Sequence, residues 1–100
     1  MDEIIFALKR LKGSLEALKS AIHLDESKGI IDMYKVDVLR CLAFLQNKNL
    51  GILPFFSSEL FQTIKNTLTK LQLEIEAPDF ILHQISSYIE KIEIAIGGLL

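Results

Sequence analysis

The sequence predicts an all-α fold, a four-helix antiparallel bundle of up-down-up-down course, expected to be dimeric. Three observations carry that expectation. Apolar residues recur at intervals alternating between four and three along four separate stretches, the spacing that aligns side chains on one face of an α-helix. The segments between those stretches are short, and short connections favour antiparallel neighbours. The second stretch, Asp32 to Gln46, is apolar nearly all the way round, and a helix of that kind needs cover on more than one side.

The first helix starts with Asp2 as a capping residue. Ile4, Leu8, Leu11, Leu15, Leu18 and Ile22 form its seam, and Lys9, Arg10, Lys12 and Lys19 lie off it. Gly13 sits on the back of this helix, where glycine costs about 1 kcal/mol relative to alanine unless another helix approaches closely. Residues 23–30, HLDESKGI, lose the pattern and read as a connection. Asp32 is the expected N-cap of the second helix, with Ile31 and Val36 placed for a hydrophobic staple. Tyr34, Val38, Cys41 and Leu45 make one seam on that helix, and Val36, Leu39 and Ala43 make a second stripe on almost the opposite side. Asn49 or Gly51 is expected to close it in a left-handed cap.

The third helix is expected to begin near Pro54 or Ser57, with its seam at Leu60 or Phe61, Ile64, Leu68, Leu71 and Ile75. Gln62, Lys65, Asn66, Thr69 and Gln72 supply its wet side. Ala77-Pro78-Asp79 ends it and starts the fourth, with proline at the first helical position and Asp79 favourable at the positive end of the helix dipole. Ile81, Ile85, Tyr88, Ile92, Ala95 and Leu99 form the last seam, and Gly97-Gly98 is expected to stop the helix. A competing period-two pattern in residues 71–76 and 92–96 suits a βαβ unit. It is the less favoured alternative, because a two-stranded sheet is marginal alone.

One hundred residues make a single domain with one core, and no linker divides residues 1–100. Half of the residues are apolar and Leu and Ile supply most of them, a surplus on so small a chain. Surplus apolar surface goes into an interface, so the expected partner is a second copy or another protein. The expected interface residues are Val36, Leu39 and Ala43, together with Phe55 and Phe56 of the ILPFF loop. A net charge of −2 gives no general attraction to nucleic acid or to an anionic membrane. The basic set on the first helix lacks interleaved aromatics, so no nucleic-acid partner is expected. Cys41, the one cysteine, excludes an internal disulfide and fits a reducing compartment; on the main seam it is expected to be buried and inert. The opening MDEIIF carries two acids in place of a basic leader, and the longest apolar stretch, 50–56, is far short of the roughly 20 residues that span a bilayer. The expected location is therefore cytoplasmic.

Chemistry-bearing motifs are few. Up-down-up-down topology gathers His23, Asp25, Glu26, Asp32, Glu74, Glu76, Asp79 and His83 at one end. Asp79 and His83 are four residues apart on one helix face, and His23 or Asp25 is a possible third metal ligand. The charge that loops and helix ends ordinarily attract explains this cluster equally well, and His83 falls on the wet side of its helix. No metal or other cofactor is therefore expected, and His23, Asp79 and His83 stand only as the candidates if one binds. Asp79, His83 and Ser87 repeat at i, i+4 and i+8, but a straight helix points all three outward with no oxyanion donors. No glycine-rich phosphate loop, GxSxG, HExxH or CxxC occurs. The expected function is a non-enzymatic protein–protein interaction module, working as a homodimer or as a small subunit. The alternatives are a metal-binding or hydrolytic bundle using the His23/His83 end, and a membrane-peripheral immunity or regulatory protein presenting ILPFF or the GGLL tail.

Overall fold

The computed structural model describes residues 2–47, 58–73 and 78–99, omitting the side chains of 2, 58, 71–73 and 78. It contains four helices, α1 (Asp2–His23), α2 (Lys28–Gln46), α3 (Ser58–Leu73) and α4 (Pro78–Leu99), and no strand among the described residues. Helix thus prevails over the period-two alternative at 71–73 and 92–96, while 74–76 lie outside the described residues. At 1.5 Å per residue the 22-residue helices α1 and α4 are each ~33 Å long, which accounts for the 36 Å long axis of the molecule.

Each helix touches two others. α1 packs against α2 and α4, and α3 completes the set more lightly against α2 and α4. The seam of α1 is fully enclosed at Leu8, Leu11, Leu15 and Leu18. Val38, Leu42 and Leu45 of α2, Phe61 and Ile64 of α3, and Ile81, Ile85 and Ile92 of α4 close the same core. The most extensively packed element is α1, not α2. The inner seam of α2 centres on Val38, Leu42 and Leu45, while its other stripe stays outside.

The α1–α2 connection is tighter than the sequence suggested. Asp25 has φ 54, its N–H donates to the Ile22 carbonyl at 3.1 Å, and the Glu26 N–H donates to the Ala21 carbonyl at 2.9 Å. These two bonds around a left-handed residue are a Schellman closure, with an aspartate where glycine is commoner. Ser27 then stands at the N-cap of α2 in extended conformation, and its carbonyl accepts from the N–H groups of Ile30 and Ile31. Asp32 is therefore not the cap. It lies one turn inside the helix and binds Lys35 Nζ at 3.1 Å. The three-residue closure leaves no room for a loop reaching position 30, so the helix begins about a turn early.

Gly97 and Gly98 do not stop α4, which runs through both to Leu99. Ile96 and Leu99 hold that last turn against the core, so packing outweighs the glycines' low helix propensity. Gly13 marks no close approach, since a Cβ there meets nothing within 4 Å. The expected caps at Asn49 or Gly51 and the core position Ile75 lie outside the described residues.

Among the described residues, Thr67, Tyr88 and Lys35 bring polar groups into the interior, each with a partner. Thr67 of α3 and Tyr88 of α4 are buried, their hydroxyl oxygens 2.6 Å apart, and Thr67 also lies 3.1 Å from the Thr63 carbonyl. The arrangement that satisfies both has Tyr88 donating to Thr67 Oγ1 and Thr67 donating to the carbonyl. Lys35 is 8% exposed, its stem enclosed and its amine delivered to Asp32.

Candidate interaction surface

On α2 the residue order alone separates an inside from an outside. With 3.6 residues per turn, Val38, Cys41, Leu42 and Leu45 share the core side, and Val36, Leu39 and Ala43 fall on the opposite side. All three outer residues are exposed, Val36 at 45% and Leu39 at 40%. Met33 at 57% continues the stripe toward the N-terminus, and Phe44 and Ile30 flank it. Large apolar side chains scattered singly over a surface need no explanation; a run along one helix face does. Asp32 and Arg40 are the charged residues that interrupt this face.

Beside the stripe, Phe6 of α1 (68% exposed) and Phe44 of α2 stand over a groove of ≈ 420 Å³ between the two helices. Ala7 and Cys41 form part of its floor, and Arg10 and Arg40 line its side. Arg10 reaches Asp37 across the helix pair at 3.7 Å. Burial pushes the Cys41 thiol above its ordinary pKa, with Asp37 adding to the shift and Arg10 and a Ser14 hydrogen bond opposing it. A thiol so placed stays protonated at neutral pH.

A second groove of ≈ 490 Å³ runs between α1 and α4, lined by Lys12, Glu16, Lys19, His23 and Glu93 among others. Lys12 binds Glu93 at 3.2 Å and Glu16 at 3.8 Å, so its charge is neutralised within the fold. Arg10 is likewise paired, with Asp37 of α2.

His23 lies beside Ile89 and Glu93 in the α1–α4 groove, and Asp79, His83 and Ser87 are exposed. Among the described residues no three His, Cys, Asp or Glu side chains come together as a metal site. Glu74 and Glu76, and the expected interface residues Phe55 and Phe56, lie outside the described residues. None of the described helices is long and apolar enough to cross a membrane.

Sequence reasoning missed Met33 and Phe6 as exposed apolar groups. Met33 is three residues before Val36 and therefore one turn along the same face, a signal present in the spacing. Phe6 lies one heptad before Gly13, on the back of α1, and its exposure follows from that position. Compared with family models, curated proteins and solved structures, the chain matches none.

Proposed function

We propose that this chain is a cytoplasmic, non-enzymatic protein–protein interaction module that works as a homodimer or as the small subunit of a complex. The observation that carries the reading is the outer face of α2, where Met33, Val36, Leu39 and Ala43 lie exposed opposite the enclosed Val38, Leu42 and Leu45. Recognition is by helix face: a partner buries the apolar stripe, and charges at its rim set orientation. The frame behind the face is a single-domain antiparallel bundle of up-down-up-down course. The pairings Arg10 with Asp37, Lys12 with Glu93, and Thr67 with Tyr88 support that course, because each joins neighbours in the α1–α2, α1–α4 or α3–α4 contacts. The single buried thiol fits a reducing compartment.

Sedimentation equilibrium from roughly micromolar to millimolar protein tests the reading. The wild-type mass is expected to rise with concentration, and Leu39→Glu is expected to stay monomeric while keeping its helical circular dichroism. A wild-type chain that remains a monomer throughout overturns the homodimer.

A further inference from the structure

Resting on that reading, we infer that the occupant of the α2 face is a second copy of this chain, docked antiparallel about a two-fold axis at Val36, with Asp32 of each copy pairing with Arg40 of the other. The inference comes from where the two charges on the face stand. Asp32 and Arg40 are each four residues from Val36, one toward each end of the helix. At 1.5 Å and 100° per residue, each lies ~6 Å along the axis and ~40° around it from Val36, on opposite flanks.

A two-fold axis perpendicular to both helices sends position 32 to the level of position 40 in the second copy. With axes roughly 10 Å apart, the Cβ atoms of Asp32 and of the second copy's Arg40 come within about 6.5 Å, a distance those side chains close easily. The symmetry makes the pair twice. The same register sets Met33 against Leu39 and Gly29 against Ala43, apolar on apolar and small on small. A parallel pairing instead stacks Asp32 on Asp32 and Arg40 on Arg40, with the opposite charges about 12 Å apart along the axis. An antiparallel pairing centred on Arg40 brings the two guanidinium groups together. The Val36 register thus joins unlike charges and no like ones.

Both charges are available for this contact. The Asp32 side chain is 47% exposed, and its bond to Lys35 uses Oδ1, leaving the second carboxylate oxygen to accept from a guanidinium. Arg40 is exposed, with no ion-pair partner among the described residues, whereas Asp37 is already held by Arg10. One crossing of 19-residue helices, even with Phe6 and Phe44 at its edge, buries less than the roughly 1,200 Å² of a standard interface. The dimer accordingly belongs to the small, transient class of interface.

Single-cysteine insertions read the register directly, because only a residue on a two-fold axis meets itself. Under mild oxidation Val36→Cys is expected to form a covalent dimer, whose Cβ–Cβ spacing suits a disulfide. Met33→Cys alone, Leu39→Cys alone and Ala43→Cys alone are expected to remain uncrosslinked, while an equimolar mixture of Gly29→Cys and Ala43→Cys, which the register sets face to face, gives a heterodimeric band. Arg40→Glu is expected to weaken association at least tenfold, by facing the Asp32 carboxylate with a like charge twice. All these positions are exposed, so the fold tolerates them, and circular dichroism of each dilute variant checks it. Self-crosslinking of Leu39→Cys or Ala43→Cys without Val36→Cys overturns the register and leaves the interaction reading standing. Absence of any self-association by the wild-type chain overturns the register and the homodimer together, and leaves only the small-subunit reading.

Discussion

Leu39 and Leu42 are the same residue on the same helix, three positions apart, and the fold gives them opposite duties. Leu42 is completely enclosed, so Leu42→Ala leaves a cavity and is expected to cost ~2–5 kcal/mol. For a domain of this size each kcal/mol moves the melting temperature by about 4–8 °C, so a fall of at least ~8 °C is expected. Leu39 keeps 40% of its surface in water, and Leu39→Ala also gains helix propensity. Its net cost to the lone chain is about 1 kcal/mol or less. Thermal melts by circular dichroism, in dilute solution where the chain is monomeric, compare the two. Raising the concentration adds the second duty: the wild-type melting temperature climbs by mass action, and that of Leu39→Ala does not. Equal losses for the two variants in dilute solution refute the reasoning, because Leu39 is then a core residue of the single chain.

Gly13→Ala is expected to raise stability by about 1 kcal/mol, since the added methyl meets open space; a fall in melting temperature contradicts the geometry of α1. Tyr88→Phe removes the donor to Thr67 and is expected to cost ~1 kcal/mol, with a double variant carrying Thr67→Val less destabilised than the two single changes added together. Burial raises the Cys41 pKa in the folded chain, so the stabilisation from holding its proton is present below the ordinary thiol pKa and lost as pH rises through the raised value. Thiol labelling at mildly alkaline pH is therefore expected to run more slowly on the native chain than on the unfolded one, and equal rates contradict the burial.

The four helices were legible because their seams are long and apolar. The seams of α1 and α4 are reproduced residue by residue, and Pro78 opens α4 as its fixed backbone angle suggests. The start of α2 was misread because Gly29 and a run of charge look like loop. A residue that accepts the left-handed conformation, here Asp25, turns the chain in fewer residues than composition implies. Lys35 and Thr67 were left off the core because their residue types are polar. Each satisfies its polar atom within reach of its own helix or the neighbouring one, and so is tolerated inside. The outer stripe of α2 was visible in the spacing of Val36, Leu39 and Ala43. Its exposure was not, since a second apolar side serves equally well inside a larger core, and only the packing of α1 between α2 and α4 decides which face is left over.

The central claim is that the leftover face of α2 is a contact surface for another copy of the chain. Sedimentation equilibrium of the wild-type protein beside Val36→Glu tests it most directly, because Val36 is exposed in the lone chain and central to the contact. The wild-type mass is expected to rise from 11.3 kDa toward twice that value with concentration, while Val36→Glu stays at the monomer mass with an unchanged dilute melting temperature. A wild-type mass fixed at the monomer value, or an equal rise in both proteins, contradicts it.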